Sequence, residues 1–291
     1  MIGIIKRCIL VGALSVLSFT CVLGLTSCSN KNYVNNTHDI SENFSNIFID
    51  TKAADVIVLP SPDGKCRVEC YEKKNTQHAV SVSDDTLNIS WKDGRKWYQK
   101  IFNTGRVKVT VYLPVQTYNS IVINNTTGDV RVENISAGSL TIDATTGDVS
   151  VLNVKSDGNI SVDVTTGDIN VSRVESKGNI SFVTTTGNTK MSDVSCRDLT
   201  INGTTGDVTL SKTVALERLS IDVSTGDVIF DSCDAAEIYV ESTTGDVKGS
   251  FLTDKIIFAK TTTGKISVPK STVGGRCEIE TTTGDIDISI E

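Results

Sequence analysis

The sequence predicts an all-β, single-domain parallel β-solenoid, a β-helix-like fold with two strands in each coil of about 20 residues. A Thr-Thr-Gly-Asp motif recurs nine times at a nearly fixed spacing, which is the signature of a repeat architecture. Apolar and polar residues alternate on both sides of each motif, as they do in half-buried strands. Aromatic residues make up only 5% of the chain, which suits thin stacked strands better than a globular core.

The motif is centred on a glycine, and successive glycines lie 19 or 20 residues apart. Thr precedes all nine glycines, and Asp follows seven of them, with Asn188 and Lys265 as the exceptions. Glycine adopts a positive φ without steric cost, so it predicts a tight corner between two strands. Stacked coils would place each Thr over the next, where hydroxyls can bond along the column. The predicted corners are Gly128, Gly147, Gly167, Gly187, Gly206, Gly226, Gly245, Gly264 and Gly284.

Each corner lies between two short alternating segments. Ile121 and Ile123 precede the Gly128 corner, and Val130 and Val132 follow it. The period is too short for a propeller blade, and the segments are too short for a membrane barrel. An antiparallel meander would leave one apolar face uncovered. A solenoid buries both segments against each other, so the sequence favours parallel pairing between coils.

The Asp residues of the motif form a predicted outward column. The first interpretation is that each carboxylate accepts hydrogen bonds from corner backbone N–H groups, as in Asx-turns. The second is a comb for Ca²⁺ or a cationic partner, and it is less favoured because calcium-binding solenoids carry denser Asp/Gly motifs. In chain order, Lys265 falls between Asp246 and Asp285, where it would relieve repulsion. The candidate ligands are Asp129, Asp148, Asp168, Asp207, Asp227, Asp246 and Asp285.

A second outward acidic column is predicted four residues before the corner glycine. Its charged members include Asp143, Asp163 and Asp222, and Val183 interrupts it. One interpretation is that both columns only provide surface charge. The other is that they bind a cationic ligand.

The N-terminus has the pattern of a lipoprotein leader over residues 1–27. Lys6 and Arg7 precede an apolar stretch, and the segment ends in LTSC, which resembles a lipobox with Cys28 as the lipidated residue. An ordinary secretory signal peptide or a single membrane span is the alternative. Residues 28–39 are predicted to form a polar tether, residues 40–120 irregular N-terminal coils or a cap, and residues 121–291 the regular solenoid.

Side chains suited to catalysis or metal binding are sparse. Cys66 and Cys70 would lie about 13 Å apart on one face of a strand, too far for a disulfide. Cys233 and Cys277 fall at apolar positions of the repeat and are predicted to be core residues. With only two histidines, the chain shows no convincing zinc spacing and no Ser-His-Asp arrangement. We therefore expect neither a catalytic site nor a cofactor, and the formal charge of −7 argues against nucleic-acid binding.

A basic, aromatic-rich segment interrupts the pattern between Lys92 and Lys108. One interpretation is a cap whose aromatic rings cover the end of the core. The other is a contact with anionic lipid or an envelope polymer, because interfacial segments combine these residue types. The candidate contact residues are Trp91, Arg95, Lys96, Trp97, Tyr98, Lys100 and Phe102.

The combination of ADVIVLPSPDGK, VKVTVYLPVQTYNSIVI and the TTGDV repeats resembles the bacterial putative-adhesin family of β-strand-repeat surface proteins, which is related to the toastrack domains. The resemblance covers residues 40–291. It implies a right-handed β-helix-like domain on the cell surface, sometimes linked to envelope-stress systems, without defined catalytic residues.

Together these features predict a non-enzymatic lipoprotein on the extracytoplasmic face of the cell membrane. Its expected partners are the membrane, through the lipid anchor, and an envelope polymer, a host surface or another envelope protein. Two alternatives stay open: a β-helix enzyme acting on polysaccharide, and an accessory of an envelope-stress signalling system.

Overall fold

The computed structural model describes residues 33–93 and 107–291, and every regular element in these ranges is a β-strand. The strands are β1 (Tyr33–Ile40), β2 (Asn46–Thr51), β3 (Asp55–Pro60), β4 (Cys66–Lys73), β5 (Thr76–Ser83), β6 (Thr86–Asp93), β7 (Lys108–Leu113), β8 (Thr117–Tyr118), β9 (Ser120–Thr127), β10 (Val130–Glu133), β11 (Ser136–Ala137), β12 (Leu140–Thr146), β13 (Val149–Leu152), β14 (Lys155–Ser156), β15 (Ile160–Thr166), β16 (Ile169–Ser176), β17 (Ile180–Thr186), β18 (Thr189–Thr205), β19 (Val208–Thr225), β20 (Val228–Thr244), β21 (Val247–Phe251), β22 (Lys255–Thr263), β23 (Ile266–Ser267), β24 (Gly275–Thr283) and β25 (Ile286–Ile290).

Successive coils pair in parallel, which confirms the predicted solenoid. Strands that precede a corner glycine form one ladder, here called ladder A, and strands that follow it form ladder B. In ladder A, Leu140 of β12 lies between Ile121 of β9 and Ile160 of β15. In ladder B, Val149 of β13 lies between Val130 and Ile169. Except in the outermost coil at the C-terminal end, the inward apolar side chains of both ladders are buried, so they form one core along the stack.

The six coils with corners from Gly128 to Gly226 also contain a short third parallel segment that sequence analysis did not predict. Six residues after the corner glycine, the backbone takes a positive φ, as at Asn134 and Arg173, and the chain bends there. The two or so residues that follow pair in parallel with their equivalents in the next coil, as β11 does with β14. Two residues are too few to show an alternating pattern, and for that reason the sequence did not reveal this ladder.

The spatial order of the coils departs from their sequence order at both ends. At the C-terminal end, β24 pairs with β20 on one side and with β22 on the other, so the last coil of the chain is inserted between two earlier ones. At the N-terminal end, β2 pairs with both β6 and β9, and β3 with both β7 and β10. The outermost coils in space are therefore the second and the penultimate in sequence.

An antiparallel cap closes the N-terminal end of the stack. In the cap, β4 pairs with β1 and β7, and β5 pairs with β6. Residues 33–39, which the sequence assigned to a polar tether, form β1, and this assignment was wrong. The strand pairs with β4 along its whole length, and Nδ2 of Asn36 donates to Oε1 of Glu72 on β4 at 2.7 Å.

The cysteines occupy the core, as predicted for Cys233 and Cys277. All five described cysteines are free and buried, including the strand neighbours Cys66 and Cys70 of β4. Burial raises the pKa of the Cys66 thiol to about 12 and that of the Cys277 thiol to about 12. In the described ranges, no helix is long and apolar enough to cross a membrane.

Candidate functional site

The TTGD corners stack into one continuous edge between ladders A and B. Every corner glycine except Gly264 donates its N–H to the Thr carbonyl of the next coil in space, as Gly167 does to Thr186 at 2.9 Å. The φ of Gly206 is 140°, and a Cβ atom built there would lie 2.0 Å from the carbonyl oxygen of Gly187. Glycine is thus required both by the backbone conformation and by the close approach of the neighbouring coil.

The Asp residues after the glycines form a ladder of hydrogen bonds between coils. The Oδ1 atom of Asp148 accepts from the backbone N–H of Asp168 at 2.9 Å, and Asp207 accepts from Asp227 at 2.9 Å. Asn188 takes part in the same way, because its Oδ1 accepts from the N–H of Asp207 at 2.9 Å. The carboxylates therefore serve as acceptors for corner N–H groups, but the donor belongs to the next coil and not to the same turn.

The ladder of Asp hydrogen bonds extends beyond the nine motifs, and it explains why Lys265 can replace Asp in one of them. It begins at Asp55, which sequence analysis missed, and whose Oδ1 accepts from the N–H of Asp129 at 3.2 Å. It ends at Lys265, whose N–H donates to Asp285 at 2.8 Å. As the last member in space, Lys265 needs no acceptor side chain.

The predicted place of Lys265 between Asp246 and Asp285 was wrong. The N–H of Asp285 donates directly to Asp246 at 2.7 Å, because the last coil of the chain is inserted there. Hydrogen bonds from the Lys248 ammonium and, to a smaller extent, from this N–H hold the pKa of Asp246 below its usual range.

The corner threonines form two exposed columns beside the Asp ladder. Thr146 of β12 lies in register between Thr127 and Thr166, so the predicted stacking is correct. Within the described corners, however, the exposed hydroxyls make no hydrogen bonds along the column, in contrast to the prediction. They point to solvent. We call this surface the threonine face: Thr126, Thr127, Thr145, Thr146, Thr165, Thr166, Thr185, Thr186, Thr204, Thr205, Ser224, Thr225, Thr243, Thr244, Thr262, Thr263, Thr282 and Thr283.

The acidic column four residues before each glycine borders the threonine face. In register, Asp143 pairs with Asp163, and Val183 follows Asp163, so a gap divides the column. At its C-terminal end, Lys260 lies beside Glu280, with their Nζ and Oε2 atoms 3.3 Å apart. A groove of about 460 Å³ runs along this border, lined by Asp50, Lys52, Asn124, Asn125, Thr126, Asp143, Ala144, Thr145, Asp163 and Thr165.

Two other predicted sites fall largely outside the described residues. Cys28 lies in residues 1–32, and Trp91 is the one candidate contact residue of the basic aromatic segment that lies in the described ranges. Trp91 is half-buried, and its ring meets the His78 ring edge-on, with centroids 5.4 Å apart. The other candidate contacts lie within residues 94–106: Arg95, Lys96, Trp97, Tyr98, Lys100 and Phe102.

A buried polar pair in the cap also escaped sequence analysis. Glu72 of β4 and His78 of β5 are joined by a contact of 2.8 Å between Oε2 and Nδ1, and neither side chain is exposed. Burial alone would raise the pKa of Glu72, but hydrogen bonds from His78 and Asn36 outweigh it and leave this pKa lowered. The two residues lie on different strands of a hairpin, and no spacing rule identifies such a pair.

Several solved structures are similar to this chain at low sequence identity. A putative adhesin from Bacteroides fragilis shares 18% identity, with 89% of this chain and 98% of that chain covered, and a TM-score of 0.49. A putative lipid binding protein from Parabacteroides distasonis shares 16% identity, with coverages of 76% and 95%, and a TM-score of 0.42. A putative adhesin from Parabacteroides merdae shares 12% identity, with coverages of 89% and 97%, and a TM-score of 0.30.

No curated protein matches the chain at a significant level. The family model named Toastrack DUF4097 matches residues 44–214 and again residues 158–291. These two matches together span residues 44–291, which contain the corner stack, the reordered last coils and all of the cap except β1. The chain therefore belongs to the Toastrack DUF4097 family.

Proposed function

We propose that this protein is a non-enzymatic interaction module at the cell surface, held on the extracytoplasmic face of the membrane by a lipid on Cys28. The observation that carries the proposal is the threonine face. It repeats one exposed pair of hydroxyl side chains over nine coils, at the strand spacing of about 4.8 Å. A repetitive surface of this kind suits an extended partner better than a small molecule.

The chemistry of the face indicates what such a partner offers. The hydroxyls of Thr145 and Thr165 are exposed and without partners in the described structure, and the carboxylates of Asp143 and Asp163 line the adjoining groove. These groups suit an extended chain that carries hydroxyl, amide or cationic groups, such as an envelope polymer. Adhesion, the role in the names of two of the relatives above, is another form of such contact, as is binding to a second envelope protein.

The test is binding of the purified protein to isolated cell-wall polymer and to intact cells. In one variant, Thr145, Thr165 and Thr185 are all changed to Ala. We expect at least a tenfold loss of binding with an unchanged melting temperature, because the three side chains are exposed. The matched control changes Ser150, Asn170 and Lys190 of ladder B to Ala and should bind as the wild type does. Equal binding by both variants would refute the role of the face.

The anchoring part of the proposal rests on the lipobox-like LTSC segment. Cys28→Ser removes the thiol that would carry the lipid, so we expect the protein to move from the membrane fraction to the soluble fraction. Metabolic labelling with a fatty acid should fail in the same variant. A Cys28→Ser protein that stays in the membrane fraction would show that residues 1–27 form an uncleaved span or that another segment holds the membrane.

The rival hypothesis of a polysaccharide-cleaving enzyme concerns the concave regions of the described structure that contain carboxylates. One of them, about 780 Å³, lies beside the cap and is lined by Asp39 and Arg67. The Arg67 guanidinium holds Asp39 at 3.1 Å and Asp63 at 3.3 Å, so these carboxylates are committed to ion pairs. Release of reducing sugar from envelope polysaccharide by the purified protein would overturn the non-enzymatic proposal.

A further inference from the structure

The cap contains a buried cluster of metal-ligating side chains that the proposed function does not use. Cys70 and Glu72 lie on β4, and His78 lies on β5. The three residues are buried, and one ligand atom from each lies within 4.8 Å of the other two. A sulfur, a carboxylate oxygen and a ring nitrogen are the donor types that Zn²⁺ selects in proteins.

The hydrogen bonds of the cluster fix its geometry. Glu72 accepts from the backbone N–H of His78 at 2.8 Å and from Nδ2 of Asn36 at 2.7 Å, and its Oε2 also lies 2.8 Å from Nδ1 of His78. The Nε2 atom of His78 is buried and has no hydrogen-bond partner. A buried polar atom without a partner is costly, and one explanation for it is a bound ion.

Other unpartnered polar atoms concentrate in the same part of the molecule. Among the described residues, eight buried side-chain N or O atoms lack a hydrogen-bond partner, and four of them belong to β1 or β5: those of Tyr33, His38, Thr76 and His78. His38 lies opposite Val68 of β4, two residues from Cys70, and its Nε2 atom is among the four. Both histidines of the chain thus lie in the cap with an unused ring nitrogen.

We propose that Cys70, Glu72 and His78 bind one divalent metal ion of the Zn²⁺ class. The thiolate, the carboxylate and the imidazole supply three ligands, and a tetrahedral ion has room for a fourth. Burial raises the pKa of the Cys70 thiol to about 12 without the ion, so binding displaces the thiol proton. The ion would tie β4, which continues ladder B, to β5, which continues ladder A, and would so close the capped end.

The test uses the full chain, stripped with a chelator and then titrated with Zn²⁺ by calorimetry and with Co²⁺ by absorption spectroscopy. We expect one high-affinity ion per chain, a thiolate-to-Co²⁺ charge-transfer band and a higher melting temperature with Zn²⁺. Cys70→Ser and His78→Gln should each weaken binding at least tenfold, and Cys70→Ser should remove the band. His38→Gln tests whether this residue supplies the fourth ligand.

Cys66→Ser is the matched control, because Cys66 is also buried on β4 but lies outside the cluster. It should retain the affinity and the band of the wild type. Circular dichroism shows whether each variant folds. If Cys70→Ser does not fold, the presence or absence of the Co²⁺ charge-transfer band in the wild type decides whether Cys70 is a ligand. No thiolate band in the wild type, or equal binding by Cys70→Ser and the wild type, would leave the cluster a hydrogen-bonded packing element and overturn the proposal.

Discussion

The middle of the solenoid and its two ends follow different rules. Between Gly128 and Gly245, each coil stacks on the coil that precedes it in sequence, and the inward apolar side chains are buried. At each end, the first or last coil of the chain is not the outermost one. The coil next to it in sequence lies farther out along the stack. At the C-terminal end, Ile286 of the inserted coil is fully buried, whereas its register partner Ile266 in the outermost coil is 46% exposed.

The comparison shows that the sequence of a coil is matched to its place in space. The inserted coil keeps the complete motif with Asp285, and the outermost coil has Lys265, which only donates to the ladder. The outermost coil also carries Lys260, which is exposed on β22, and a lysine on an edge strand hinders pairing with another chain. The N-terminal end is protected differently, by the antiparallel cap of β1, β4 and β5.

The largest expected effect comes from a side chain at a central corner. In Gly206→Val, the new Cβ would meet the carbonyl oxygen of Gly187 between two fixed coils, at a φ that valine does not tolerate. We expect a loss of more than about 4 kcal/mol in the free energy of unfolding, measured by denaturant titration. Gly264→Val has the same clash with Gly284, but the outermost coil can move outward, so its loss should be about half. Equal losses would show that the end is as rigid as the middle.

Truncation of the paired isoleucines separates the two regions at one register. Ile286→Ala opens a cavity in the buried core and should cost about 3 kcal/mol. Ile266→Ala removes a side chain that is already half in water, so it should cost less than about 1 kcal/mol. Denaturant midpoints of the two variants give the comparison. A large loss for Ile266→Ala would indicate that a partner covers the outermost coil in solution.

The Asp ladder predicts a smaller loss that depends on the acceptor and not on the charge. Asp207→Ala leaves the N–H of Asp227 without its acceptor and should cost about 1 kcal/mol. Asp207→Asn keeps an amide oxygen in place, as Asn188 does, and should stay within a few tenths of a kcal/mol of the wild type. Thermal melting provides the measurement. An Asn variant as unstable as the Ala variant would mean that the negative charge is required.

The same ladder distinguishes acceptor from metal ligand. We expect millimolar Ca²⁺ to leave the melting temperature unchanged in the wild type and in Asp207→Asn with Asp227→Asn, because each carboxylate already holds a neighbouring N–H. A calcium-dependent rise that disappears in the double variant would make the column a cation site.

Acid should weaken the ladder at Asp246. Its pKa is lower in the folded chain than in the unfolded chain, so its contribution is complete above the unfolded value and is lost as the pH falls through the folded value. Asp246→Asn should therefore flatten the dependence of the melting temperature on pH below about pH 4. An unchanged slope would show that other carboxylates dominate acid unfolding.

The smallest expected effect concerns the bend six residues after the corner. Arg173 adopts a φ of 54° at a position where two other coils carry Asn. Asparagine tolerates this conformation better than arginine, so Arg173→Asn should stabilise the protein by a few tenths of a kcal/mol. A matched change on the straight part of a strand, Lys190→Asn, should not stabilise it. Thermal melts of both variants compare the two positions.

The sequence by itself determined the repeating part of this protein. A 19- or 20-residue period with a glycine at one point and alternating apolar residues around it can be satisfied by one coil geometry, so the corners, the parallel pairing and the buried positions followed from residues such as Gly206 and Val130. Local periodicity carries this information because each coil contacts coils of the same kind.

Only the tertiary structure decided how the repeats end. Which coil lies outermost depends on which one leaves the least apolar surface in water, and this is a property of the whole stack and not of any single repeat. The donor of each Asp hydrogen bond, the place of Lys265 and the meeting of Glu72 with His78 all depend on that order or on pairing between distant strands. Such contacts join residues that are not related by any fixed spacing in the sequence. The side chains could therefore be read from the sequence, but the residues that they contact could not.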